Sequence, residues 1–215
     1  MQPHAQPTTV EWFFDFISPF AYLQLEQFDQ LPPNLSVTLT PVVLGALLAH
    51  WENKGPAEIP EKRKFTYRMA QFRAEQLGIP FKMPPAHPFN PIKPLRLALA
   101  ANCQLSAIKE IFRFIWREGR GVWEEQDWQE LCARVGVANA DQTIEEAAIK
   151  DALRQNTERA IRLGVFGVPT LVYDGELFWG HDATPLFLLY VGHPTWLNSE
   201  ELRRISTLPV GIQRK

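Results

Sequence analysis

A chain of 215 residues, 46% hydrophobic and 21% charged, fits one domain or one domain carrying an insertion. That composition excludes disorder, and no uncharged apolar run reaches the roughly 18 residues that a membrane-spanning helix needs. The balance of 22 basic and 24 acidic side chains, net −2, gives no electrostatic basis for nucleic-acid binding, which rests on phosphate neutralisation.

Residues 9–16 (Thr-Val-Glu-Trp-Phe-Phe-Asp-Phe) have the aromatic and β-branched composition of a buried strand. The run stops at Ile17-Ser18-Pro19, where serine as N-cap and proline at the first helical position predict a helix start. That helix carries Phe20, Leu23 and Phe28, with Tyr22 and Leu25 beside them, and is expected to end before Pro32-Pro33. Residues 36–41 alternate, with Val37 and Leu39 facing one way, and give a second strand. Strand, helix and strand within about 33 residues make a βαβ unit with a right-handed crossover.

The character then changes. Residues 44–51 are apolar and helical, followed by the polar loop Glu52-Asn53-Lys54-Gly55-Pro56. Residues 61–77 read as a helix that Gly78 ends, and the Pro-rich stretch 79–94 is expected to hold no regular element. Further helices are predicted over 95–102, 107–118, 125–134 and 143–163. Phe65, Phe72, Ile111, Phe112, Ile115 and Trp116 are read as core, a few of them walling an aromatic pocket. Strands return at 169–173 and 176–179 around the hairpin signal Asp174-Gly175. Thr184-Pro185 opens a short apolar helix through Tyr190, with Thr184 as its cap, and an amphipathic tail with a frayed end closes the chain.

Two separate domains would leave the last two strands as an isolated hairpin, which is marginal in water. The expected architecture is therefore α/β: residues 1–43 and 164–215 form one sheet-containing domain, interrupted by an all-helical subdomain over 44–163. Residues 1–9 have neither the basic nor the apolar region of an export signal, and no disulfide is suggested between Cys103 and Cys132. The chain reads as soluble and cytoplasmic.

The motif inventory removes several chemistries. There is no Cys-x-x-Cys for two-thiol redox work, no G-x-S-x-G elbow and no Walker loop. His4, His50, His87, His181 and His193 show no metal-ligand spacing, so no metal is expected.

The βαβ, helices, ββα order, with Gly167-Val168-Pro169-Thr170 before a strand, resembles the thioredoxin fold with a helical insertion found in DsbA-like proteins. In that fold the proline is cis and faces the first helix's N-terminus, where redox members place Cys-x-x-Cys and this chain has Ser18-Pro19-Phe20-Ala21. A closer resemblance is to 2-hydroxychromene-2-carboxylate isomerases and their relatives, the kappa-class glutathione transferases. It rests on residues 14–23 (Phe-Asp-Phe-Ile-Ser-Pro-Phe-Ala-Tyr-Leu), Asn53-Lys54-Gly55-Pro56, Pro88-Phe89-Asn90-Pro91, residues 164–170 (Gly-Val-Phe-Gly-Val-Pro-Thr) and Phe178-Trp179-Gly180-His181-Asp182. It implies an isomerase of aromatic breakdown that uses glutathione as a cofactor, the sulfur adding to and leaving the substrate, and relatives of this kind are commonly homodimers.

Physical chemistry gives Ser18 a part in such a reaction. A free thiol with pKa about 8.5 is only a few per cent thiolate at neutral pH, and lowering it by about two units needs about 2.7 kcal/mol of preference for the anion. A helix N-terminus contributes about 0.3–1 kcal/mol, and a hydroxyl donating to a charged acceptor about 1.5–3 kcal/mol. Ser18 at a helix start would supply both; its plainer role is an ordinary N-cap. Val168, before a cis proline, is expected to offer its backbone N–H and C=O to the cysteinyl part of glutathione, or else to be a strand-entry turn. Asp182 either caps the final helix or suits the γ-glutamyl ammonium, with His181 and the Gly180 backbone beside it; by resemblance Trp179 belongs to the same glutathione-binding stretch.

Asn53 and Lys54 resemble the family's substrate-side segment, where Lys54 would pair with an aromatic acid's carboxylate; the alternative is a solvated turn. Asn90 either closes an Asx-turn or orients the substrate and stabilises a developing oxyanion. Val42-Val43-Leu44 stands where some relatives carry a lysine, and Ala183-Thr184 where the family often has arginine-leucine, which leaves the identity of the substrate open. Two further readings stand beside the isomerase: a kappa-like transferase that consumes glutathione, and a non-catalytic module holding a thiol peptide at the proline.

Overall fold

The computed structural model describes residues 8–212. Residues 1–7 and 213–215, with the expected absence of an export signal and the frayed end, lie outside the described residues. Strand β1 (Thr8–Phe14) leads through Asp15-Phe16-Ile17-Ser18 into α1 (Pro19–Leu25), and β2 (Leu35–Pro41) returns beside β1. Between β2 and the next strand only helices occur among the described residues. These are α2 (Leu44–His50), a short 3-10 turn (Pro56–Glu58), α3 (Pro60–Leu77), α4 (Ile92–Ala100), α5 (Leu105–Trp116), α6 (Glu125–Val135), α7 (Ala140–Thr143) and α8 (Ala147–Arg162). The hairpin β3 (Thr170–Tyr173) and β4 (Glu176–Trp179) follows, then α9 (Thr184–Gly192) and α10 (Glu200–Ser206).

The strands form one mixed sheet in the order β2-β1-β3-β4, with β1 parallel to β2 and antiparallel to β3. The hairpin thus joins the same sheet as the first βαβ unit, as the instability of an isolated hairpin requires. Strand β1 is central and buried on both faces, which explains its near-continuous apolar run. Val10, Trp12 and Phe14 enter the main core with α1, α4 and α5; Phe13 faces the other way, onto Leu47, Ala160 and Val165. The exception on that second face is Glu11, whose carboxylate accepts from Thr40 Oγ1 at 2.7 Å and pairs with Arg159 at 2.6 Å.

Several boundaries differ from the sequence expectation. Helix α1 stops after Leu25, where the Glu26 carboxylate is held in a two-point pair by Arg113 of α5 (2.7 and 2.8 Å), and a short 3-10 turn (Phe28–Gln30) follows. The helix expected over 143–163 starts later: residues 140–143 form the separate short α7, the chain then buries Ile144, and α8 begins at Ala147 after the non-helical Glu146. Helix α4 starts at Ile92, inside the Pro-rich stretch, because Pro94 falls in its first turn, where no intrahelical N–H bond is lost. Thr184 is the first residue of α9 rather than its cap; its Oγ1 donates to His181 O.

Phe65 and Phe72 are not core. They are 63% and 47% exposed, because α3 lies on the protein through Ala70 and Ala74, and a 100° step per residue puts both phenylalanines on the opposite face. Ile111, Phe112, Ile115 and Trp116 are buried as expected. Both cysteines are free.

Candidate functional site around Ser18 and the Val168-Pro169 bond

Ser18 is the N-cap of α1, in extended conformation, and its Oγ accepts from the Ala21 N–H at 3.3 Å. The same oxygen donates to the Val168 carbonyl at 3.4 Å, across 150 positions of sequence. The Val168-Pro169 peptide is cis. Both side chains are nearly buried, Ser18 at 6% and Val168 at 8% exposure. A contact of 3.4 Å is a weak hydrogen bond, so the hydroxyl can be redirected toward an incoming anion at little cost. Among the described residues the Val168 N–H meets no protein acceptor, which leaves a donor beside a carbonyl at the cis bond.

The turn after β4 is tied to the same place. Pro169 O accepts from the Gly180 N–H at 2.8 Å. Gln24, buried on α1, donates through Nε2 to Gly180 O (3.3 Å) and Thr184 Oγ1 (2.9 Å), and accepts from Trp12 Nε1 at 2.6 Å. The His181 ring stacks on Phe20 of α1, centroids 5.1 Å apart and planes within 9°. Burial lowers the His181 pKa, the Asp182 charge opposes that shift, and Arg73 adds to it. Gly180 has φ +92, and a Cβ on it would fall 2.5 Å from Asp182 Oδ1, so the exposed carboxylate lies directly over the glycine.

Ser18, Val168, Gly180 and His181 are therefore brought together, with Asp182 at their margin. Trp179 is 54% exposed and rests on Phe166 and Gly167, leading up to the cis bond. Asn53 and Lys54 are exposed, and Asn53 Oδ1 accepts from the Lys54 N–H. Their loop is anchored through Trp51 Nε1 to Val165 O at 3.0 Å, three residues before Val168. Asn90 is exposed and closes an Asx-turn onto the Ile92 N–H at 3.0 Å. No hydrogen bond joins these three to Ser18 among the described residues. Two hollows, one walled by Phe28, Leu39 and Leu105 and one by Cys132 and Gln142, share no residue with the site.

The sequence reading assigned no role to Asp15. It is fully buried at the end of β1, and its carboxylate accepts from Ile17 N–H (3.0 Å) and Leu44 N–H (2.8 Å), pinning the turn before Ser18 to the start of α2. Burial pushes its pKa up to about 7, against the two backbone donors. The signal was a lone carboxylate inside Phe14-Asp15-Phe16. His87 was also passed over: its Nε2 meets Ile17 O at 2.8 Å and its Nδ1 meets Tyr67 Oη at 2.8 Å.

Residues 9–192 match the family model of the DSBA-like thioredoxin domain. The chain belongs to that family. The DSBA-like fold it shares is the one seen in a solved 2-hydroxychromene-2-carboxylate isomerase structure, TM-score 0.78 at 23% identity, covering 88% of this chain and 97% of that one. Among curated DSBA-like relatives, glutathione S-transferase kappa 2 of Caenorhabditis elegans is 28% identical over 210 residues, 86% of this chain and 92% of the relative. A 2-hydroxychromene-2-carboxylate isomerase of Pseudomonas putida is 26% identical over 187 residues, covering 84% and 91%. No described helix of this DSBA-like chain is long and apolar enough to cross a membrane.

Proposed function

We propose that this protein is a glutathione-dependent isomerase of 2-hydroxychromene-2-carboxylate or a similar intermediate of aromatic breakdown. The observation that carries the reading is the Ser18 hydroxyl at a helix start, 3.4 Å from the carbonyl before cis-Pro169. Val168 N–H and C=O would hold the cysteinyl backbone of glutathione, and the Gly180-His181-Asp182 turn its γ-glutamyl end, with Trp179 alongside. The thiolate would then lie at Ser18. Because α1 has only seven residues, the hydroxyl, worth about 1.5–3 kcal/mol to an anion, is the larger contribution to its stability. Ser18 activates the borrowed sulfur, which adds to the substrate's double bond, permits rotation and leaves again.

The same proposal gives glutathione to residues 1–43 with 164–215 and the aromatic substrate to the helical part, 44–163, with Asn53, Lys54 and Asn90 on its side of the cleft. It also includes a cytoplasmic homodimer, which light scattering on the purified protein and cell fractionation test directly. A kappa-like transferase is the second reading, favoured by the kappa-class relative at 28% identity. Thiol balance separates the two: isomerisation leaves free glutathione constant, and transfer consumes it. Glutathione binding without turnover of any electrophile would instead mark a binding module.

The test of the thiolate is calorimetric titration with glutathione between pH 6 and 9, on wild type and Ser18→Ala. Binding to wild type releases a proton near neutral pH, and the substitution weakens that release. Equal release in both removes Ser18 from the mechanism.

A further inference from the structure

Arg63, Tyr67 and His87 form a group that meets the turn before Ser18 at Ile17. Arg63 and Tyr67 are one helical turn apart on α3, both half-buried on the side turned to the protein. Arg63 enters no ion pair among the described residues, whereas Arg113, Arg120 and Arg134 all hold carboxylates. Its charge acts on both Tyr67 and His87. His87 connects the group to the site, because its Nε2 meets the carbonyl of Ile17, the residue before Ser18.

The hydrogen-bond arithmetic of this group is incomplete. Ile17 O can only accept, so Nε2 carries a hydrogen, and in the neutral ring Nδ1 is an acceptor. Tyr67 Oη then has one hydrogen for two acceptors, Nδ1 and His87 O, each at 2.8 Å. A proton on Nδ1 completes the set: Nδ1–H donates to Tyr67 Oη, and Tyr67 donates to His87 O. Burial and the Arg63 charge both hold His87 below its ordinary pKa. A bound anion would reverse the second influence.

The surroundings say what kind of anion fits. The His87 ring meets Trp116 at 5.5 Å and Phe89 at 6.1 Å, and Phe89 meets Trp123, 43% exposed, at 5.8 Å. An aromatic shelf therefore runs from the core to the surface, starting at the His87 ring on which the Arg63 charge acts. We propose that Arg63, with Tyr67 and His87, seats the carboxylate of an aromatic acid next to Ser18, its ring on the Phe89–Trp123 shelf. This rests on the isomerase reading and assigns the substrate's charged end to Arg63 rather than Lys54.

The probe is 2-hydroxycinnamate, titrated by calorimetry without glutathione in buffers of different ionisation enthalpy, with 2-hydroxycinnamamide as the neutral control. Arg63→Gln should weaken the acid about tenfold, equivalent to about 1.4 kcal/mol, and by more than Lys54→Gln does. The acid should bind wild type with uptake of a proton, opposite in sign to the release on glutathione binding, and Tyr67→Phe should reduce that uptake. The amide should bind wild type no better than the acid binds Arg63→Gln. Equal affinity of acid and amide, full affinity in Arg63→Gln, or no binding to wild type overturns the proposal. So does an Arg63→Gln variant that loses glutathione but keeps the acid, since the carboxylate seated there would be glutathione's own. Failure to bind glutathione with the acid result intact would overturn the isomerase reading alone.

Discussion

The two sides of the candidate site are held in different ways. On the sheet side, hydrogen bonds join residues far apart in sequence: Ser18 to Val168 over 150 positions, Gln24 to Gly180 over 156, Gln24 to Thr184 over 160. On the loop side, the side chains of Asn53 and Asn90 bond one and two residues ahead. The first arrangement exists only if the whole sheet is assembled, and it lies in buried surroundings where a lost partner costs most. The second is satisfied by its own few residues and stays exposed, so little of the fold depends on it.

The sharpest way to break this contrast is Asp15, which anchors the sheet side. Its pKa lies at about 7 in the folded protein against an ordinary 3.8. Its contribution is therefore fully present below about pH 4 and is lost as pH rises through about 7, because the unfolded chain gives up the proton first. Across that window wild type should lose up to about 4 kcal/mol relative to Asp15→Asn, from about three pKa units at 1.36 kcal/mol each. Parallel urea-unfolding curves at several pH values check the slope, and a pH-independent difference would remove Asp15 from the titration.

Gln24→Ala should come next, at about 1–3 kcal/mol, since it leaves Trp12 Nε1 buried without its acceptor, while Gly180 O keeps the Ala183 N–H. Gly180→Ala combines a left-handed backbone with a Cβ pressed on the Asp182 carboxylate, and should cost about 1–3 kcal/mol. Its glutathione affinity should fall further than its melting temperature suggests. Ser18→Ala should lose about 1 kcal/mol as a missing N-cap, separately from its effect on the thiol. On the loop side, Asn53→Ala and Asn90→Ala should stay within about 0.5 kcal/mol of wild type. A larger loss at Asn90 in thermal unfolding would mean that the Asx-turn supports more than its own loop.

Much of the sheet side was legible in sequence because its signals are local. Serine before proline marks a helix start, and the aromatic β1 run marks a strand buried on both faces. The hairpin turn Asp174-Gly175 and the cis Val168-Pro169 bond also stand where the sequence and its resemblance put them. Asp15 was misjudged by omission, since a carboxylate within an aromatic run acquires its environment only when Leu44 N–H arrives from 29 positions away. Phe65 and Phe72 failed for the opposite reason: apolar character names a buried residue only if the helix turns that face inward, and α3 presents its alanines.

The amino-acid order by itself determined the type and order of most elements, which turns are possible and which residue types are available for chemistry. These follow from capping, periodicity and φ preferences within a few residues of chain. Tertiary structure decided the rest: that α1 stops at Leu25, that α7 and α8 are separate, that Ser18 meets Val168, and that Arg63 meets no carboxylate among the described residues. Each of those outcomes depends on partners supplied from another part of the fold, and a burial or an ion pair has no local signature until that partner is in place.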